Sequence, residues 1–195
     1  YMSFAKVTFR DVQFTLCRTG YSGEHGYELI PPSELATEVW NELSREVLAL
    51  DGKIAGLGAR DTLRTEMCYP LHGHELSDAI TPVEAGLNWA IGWSKDHFEG
   101  SEAVKSQKEA GADRKRAALK VLERGIPRAD MMVMRDGNPV GITTSGTFSP
   151  TCKVGIALAL VDPSVKIGDQ LHLDVRGRLL AVEVVKLPFV QPSTK

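Results

Sequence analysis

The residues with the most chemistry to offer stand in a glycine-punctuated run, GYSGEHGYEL from Gly20 to Leu29, which carries the carboxylates Glu24 and Glu28 and the phenols Tyr21 and Tyr27. A carboxylate fixed at the start of a strand can accept two adjacent N–H donors from a ligand edge in a bidentate fork. Glu28 occupies such a position, although an outward-facing residue on an alternating strand has the same pattern. Glu24 is the rival carboxylate, and turn formation explains it equally well. The two tyrosines flank the glycine turn and offer a flat apolar wall with a polar tip, with one of them expected in the core. Further on, AGLGARDTLR from Ala55 to Arg64 surrounds Arg60 with Ala55, Gly56, Gly58 and Ala59. Those small residues permit close approach to a backbone or ligand, and the Arg60 guanidinium is a permanent cation. An intramolecular pair with Asp61 or Glu66 is the competing explanation, and Arg64, four residues on along the same helix face, suits a pairing role.

Other chemistries fit less well. His72 and His74 in PLHGHEL share a face only in extended backbone, and without a third nearby ligand they do not make a zinc site. Cys17, Cys68 and Cys152 form neither a C-x-x-C pair nor a self-contained disulfide set. No metal is therefore expected. The formal net charge of −2 over 195 residues leaves no general field for nucleic acid. The densest basic cluster, Arg114 to Arg116, reads as a solvated turn before a strand. No apolar stretch approaches the ~20 residues of a membrane span, and no export signal is visible at the start.

The elements that must position these residues divide near residue 100. Alternation over Tyr1 to Arg18 predicts two strands joined at Arg10 and Asp11, and Tyr27 to Ile30 a third. Pro31, Pro32 and Ser33 open a helix with Ser33 as N-cap; Leu35, Val39, Leu43, Val47 and Leu50 give it one apolar stripe facing a sheet. A second helix covers about Ala55 to Met67. Trp89 and Trp93 are expected to be packing residues. Ser101 to Ala110 reads as a short polar helix with Gly111 to Asp113 as its exit. Six short runs follow: Ala117 to Leu122, Met131 to Met134, Val140 to Ser145, Val154 to Val161, Gln170 to Val175 and Leu179 to Lys186. Asp-Gly in RDGN at Arg135 to Asn138, and RGR at Arg176 to Arg178, mark hairpins between them. Together the runs predict a small antiparallel barrel or sandwich.

The ordered series GYSGEHGYEL, GLGARDTLRTE, PLHGHEL, TPVEAGL and GITTSGTFSP (Gly141 to Pro150) resembles the glycine-cleavage T-protein family of tetrahydrofolate-dependent aminomethyltransferases. The resemblance implies an α+β fold. A mixed α/β folate-binding region of ferredoxin-like strands and helices, residues 1–100 here, is followed by a carboxy-terminal antiparallel β-barrel, residues 101–195. It further implies that tetrahydrofolate binds through Glu28, Tyr21, Tyr27 and Arg60, with Arg60 also lining the catalytic centre. His72 departs from the commoner family pattern, which has Tyr there. The implied reaction moves a one-carbon unit from a lipoyl carrier protein to tetrahydrofolate with release of ammonia, without nucleic acid, membrane or metal, in the bacterial cytoplasm or the mitochondrial matrix. Family members are roughly twice as long, so an amino-terminal half bearing the catalytic aspartate is expected to lie outside this chain, which alone would be inactive. Two other readings are a related folate-dependent demethylase and a non-enzymatic folate-binding accessory protein; the signature cysteine motif expected of the latter is not seen around Cys17, Cys68 or Cys152.

Overall fold

The computed structural model describes residues 1–194. By compactness the described residues form two units, Tyr1–Arg64 with residues 191–194, and Thr65–Val190.

In the first unit, β1 (Ser3–Phe9) and β2 (Val12–Arg18) form the expected hairpin, and β3 (Glu28–Ile30) adds antiparallel to β2 with Cys17 opposite Glu28. Arg10 and Asp11 turn with φ of 48° and 63°, the left-handed pair that a two-residue hairpin requires and that non-glycine residues adopt at a cost. The cap of helix α1 (Ser33–Ala49) lies one residue earlier than expected: Pro32 is the N-cap and Ser33 the first helical residue, with no side-chain cap bond. The apolar stripe is largely uncovered, contrary to expectation. Val39 is buried, but Leu43, Val47 and Leu50 are exposed, together with Trp40 and Leu48. Helical spacing gives α1 one apolar side but does not by itself bring a covering surface to it. Helix α2 (Leu57–Glu66) crosses from one unit to the other.

In the second unit, all six runs become strands: β4 (Lys115–Val121), β5 (Met132–Arg135), β6 (Asn138–Ser149), β7 (Val154–Val161), β8 (Gln170–Val175) and β9 (Arg178–Val185). They close an antiparallel barrel in the order β4-β7-β6-β5-β8-β9. Asp136 and Gly137 (φ 50° and 79°) and Arg176 and Gly177 (φ 57° and 85°) make the two anticipated hairpin turns. The core comes from one face of each strand, including Leu119, Val133, Ala159, Leu171, Leu173 and Val182. Helix α3 (Ser101–Ala110) has the expected bounds. The fold class is thus a mixed α/β region followed by a closed antiparallel barrel.

The barrel's other face is polar where β6 runs. Thr143, Thr144, Ser145, Thr147 and Ser149 are all buried; residues preceding the barrel supply acceptors to Thr144, Ser145 and Ser149, and Thr143 Oγ1 donates to the Arg128 carbonyl at 2.7 Å. Glu75, with no exposed surface, accepts from the hydroxyls of Thr144 and Ser145 at 2.6 Å each and from the Leu71 N–H at 3.0 Å. Glu66, also buried, accepts from Ser149 Oγ, from Thr151 Oγ1 at 3.0 Å and from the Thr151 N–H at 3.2 Å. TPVEAGL folds on itself as a capping box: the Thr81 N–H donates to Glu84 Oε2 at 2.9 Å and the Glu84 N–H to Thr81 Oγ1 at 3.2 Å.

The basic triplet is not a solvated turn. Lys115 and Arg116 lie in β4, Arg114 pairs with buried Glu84 at 2.8 Å, and Arg116 donates to the Cys68 carbonyl at 2.9 Å. Burial of Arg116 pushes its pKa down, against the favourable neighbourhood of Cys68 and Glu75. Alternation of the β4 strand, which turns Arg116 to the same side as Ala118, outweighs local charge density here. Trp89 also departs from expectation. It is 82% exposed in the 3-10 turn Asn88–Ala90, whose short backbone leaves its ring outward. Trp93 donates from Nε1 to the Asn88 carbonyl at 2.7 Å and lies under the Lys108 ammonium at 4.0 Å.

Candidate functional site

The first unit holds a cleft of about 320 Å³ lined by the glycine turn (Thr19 to Ser22, Gly26 to Glu28) and by the start of α2 (Ala55, Gly56, Arg60, Leu63). Tyr21, Tyr27, Glu28 and Arg60 therefore share one concavity. Each arrives by a distinct local cause. Pairing of β3 with β2 sets Glu28 opposite Cys17, and Thr19, just past the end of β2, donates its hydroxyl to Glu28 Oε2. That hydroxyl orients the carboxylate, a role that the sequence reading did not give to Thr19; a hydroxyl residue immediately after a strand that pairs with β3 is the signal that could have found it. The Arg60 N–H donates to the Gly56 carbonyl at 3.2 Å, which sets the first turn of α2 and points Arg60 over the Tyr21 ring, with its guanidinium carbon 4.6 Å from the ring centroid. Stacking of this kind uses the planar, always-charged guanidinium.

The competing explanations separate clearly. Asp61 is taken by Arg64, with distances of 2.8 Å to Nε and 2.6 Å to Nη2, and Arg64 is buried. Arg60 makes no ion pair among the described residues. Glu24 does not line the cleft: its Oε2 accepts from Ser193 Oγ, and the Ser193 N–H bonds the Gly23 carbonyl at 3.0 Å. Of the two tyrosines, Tyr27 is exposed and Tyr21 half-buried, so neither is a core residue. His74 Nδ1 lies 2.7 Å from the Thr144 carbonyl, in the barrel unit. No cluster of three metal-ligating side chains occurs among the described residues, and no helix among them is long and apolar enough to cross a membrane.

Comparison with known proteins decides the lineage. The model of the GCVT N-terminal domain matches residues 1–95, and that of the glycine cleavage T-protein C-terminal barrel domain matches residues 114–191. The chain belongs to the glycine-cleavage T-protein family. It is 53% identical over 197 residues to an aminomethyltransferase of Mycolicibacterium paratuberculosis and 50% identical over 196 residues to one of Parafrankia sp.. Each alignment covers 100% of this chain and 54% of the relative, so the chain spans about half the length of the curated relatives it matches. Among solved structures, the glycine cleavage system aminomethyltransferase T from Bartonella henselae superposes with a TM-score of 0.85 at 32% identity, over 92% of this chain and 50% of that one.

Proposed function

We propose that this chain is part of a tetrahydrofolate-dependent aminomethyltransferase of the glycine cleavage system, with residues 1–100 contributing to the folate-binding region and 101–195 forming the carboxy-terminal domain. The observation that carries this reading is the convergence of Glu28, Arg60, Tyr21 and Tyr27 on one cleft. The donor set fits a reduced pterin. Glu28, steadied by Thr19, offers acceptor oxygens to a guanidine-like edge of adjacent N–H donors. Tyr21 and Tyr27 flank the glycine turn as an aromatic wall, and Arg60 above Tyr21 brings a fixed positive charge. Tetrahydrofolate supplies the nitrogen that takes up the one-carbon unit delivered on the dihydrolipoyl arm of the carrier protein, with ammonia released. The chain's residues act by holding that partner in register, since proximity and orientation dominate such a transfer. Arg60 orients the substrate and a carboxylate contributed by the remainder of the protein.

In the full-length protein, Glu28→Gln is expected to weaken tetrahydrofolate binding by roughly 1.5–3 kcal/mol, because an acceptor oxygen becomes an amide donor facing donors. Fluorescence titration measures it. Unchanged affinity would remove Glu28 from the site and overturn the reading of this cleft as the pterin pocket. This chain alone should form no methylenetetrahydrofolate from the loaded carrier protein, and turnover at the full-length rate would overturn the assignment of the catalytic carboxylate to the other half.

A further inference from the structure

The barrel unit carries a second concavity, of about 520 Å³, which the chemistry above does not use. Its walls come from the 122–131 connection (Glu123, Arg124, Ile126), from Phe148 near the end of β6, from Lys153 before β7 and from Arg178 at the start of β9. The connection lies against the barrel where glycines leave room. A Cβ on Gly155 would sit 2.5 Å from the Gly125 carbonyl oxygen, and one on Gly146 2.6 Å from the backbone of Pro127. This close approach fixes the floor of the cleft.

Its charge is mainly positive, three cations to one carboxylate. Three cations, Arg124, Lys153 and Arg178, face one hollow, and none makes an ion pair among the described residues. Arg178 spends one donor on the Arg124 carbonyl at 3.2 Å, a contact that holds it at the rim with four donors left. The carboxylate in the cleft, Glu123, is engaged by the Ala181 N–H at 3.1 Å. The chain's net charge is −2, so this clustering is local and not a sample of a basic surface. Two exposed apolar side chains share the same hollow: Phe148 is 44% and Ile126 47% exposed. The volume lies within the range of small-molecule sites, which combine apolar walls with a few fixed polar groups.

We propose that this cleft binds a small organic anion with a flat apolar body, its phosphate or carboxylate held by Arg124, Lys153 and Arg178 and its apolar part laid against Phe148 and Ile126. Charge-assisted bonds from guanidinium groups suit both anion types.

Calorimetric titration of the chain with phenyl phosphate, benzoate, inorganic phosphate and benzyl alcohol tests this. At least one aromatic anion should bind saturably and at least ~10-fold more tightly than neutral benzyl alcohol; the tighter of the two tells phosphate from carboxylate. Binding should weaken as salt rises from about 0.02 to about 0.3 M, since exposed cations are screened. Arg124→Gln, Lys153→Asn and Arg178→Gln together should lose ~10-fold or more, with graded losses for the single variants; asparagine suits the left-handed backbone at position 153, φ 58°. Phe148→Ala should reduce phenyl phosphate to the affinity of inorganic phosphate, whereas Glu28→Gln should leave it unchanged. The proposal is overturned by equal binding of benzyl alcohol, by no saturable binding of either aromatic anion, or by variants with unaltered melting temperature that bind as well as the parent chain.

Discussion

Glu75 offers the sharpest test of how the barrel is held together. Its carboxylate accepts three neutral donors in a fully buried position, from Thr144 Oγ1, Ser145 Oγ and the Leu71 N–H. Glu75→Gln keeps the shape but one acceptor site becomes a donor. If the amide nitrogen faces Leu71, two donors oppose each other; if it faces Thr144 and Ser145, their hydroxyl protons lose their acceptor. Either arrangement is expected to cost about 1–3 kcal/mol. Glu75→Ala removes the carboxylate acceptor from all three donors and opens a cavity, for about 3–5 kcal/mol. With roughly 2–4 °C of melting shift per kcal/mol for a chain of this length, the two variants should be separable by thermal melting. Denaturant unfolding followed by tryptophan fluorescence supplies the free energies. A double-mutant cycle with Thr144→Val should return a coupling of about 0.5–3 kcal/mol. An alanine variant within ~0.5 kcal/mol of the parent, or one no worse than glutamine, would refute the view that these bonds tie β6 to the preceding segment.

Three further outcomes follow from particular geometries. Burial alone would raise the Glu84 pKa, but the hydrogen bond and charge of Arg114 and the Thr81 N–H and hydroxyl outweigh it and hold the carboxyl below its ordinary value of 4.5. A folded pKa below the unfolded one means stability that is present above about pH 4.5 and lost as pH falls through the folded value; Glu84→Gln should flatten that acid limb in pH-dependent melting. Asp11→Gly should stabilise the β1–β2 hairpin by roughly 1 kcal/mol, because glycine adopts the φ of 63° without strain; a lower melting temperature of the first unit would count against it. Gly146→Ala should destabilise the barrel by roughly 1–3 kcal/mol through overpacking against Pro127, measured by denaturant unfolding, and a neutral result would show that the connection yields.

Much of the fold was legible because local signals were strong. Asp-Gly and Arg-Gly turns fix hairpin positions, and the six apolar runs pointed to an antiparallel barrel or sandwich, of which the structure shows the closed barrel. The failures share a different cause. The spacing of Leu43, Val47 and Leu50 states that α1 has an apolar side, not that anything covers it. Arg114 to Arg116 was judged by charge density, yet what decides their fate is the buried Glu84 and the Cys68 carbonyl, distant in sequence. For the candidate site, Glu28 and Arg60 are 32 residues apart and no periodicity connects them; their pairing rested on the resemblance of the surrounding motifs. The sequence reading overlooked Glu66 and Glu75 as partners of the barrel, although a strand as rich in hydroxyls as Gly141 to Ser149 calls for buried acceptors from somewhere.

Those two glutamates also constrain how the protein can change over time. A hydroxyl on β6 and a carboxylate some seventy to eighty residues before it make sense only together. Loss of Ser145 or Ser149 alone removes a donor from a buried carboxylate, and loss of Glu75 or Glu66 alone takes that acceptor away from a buried hydroxyl. Substitutions at these positions should therefore arise as linked pairs across a lineage. A descendant that replaced Glu75 with an apolar residue would be expected to carry valine or alanine at Thr144 and Ser145.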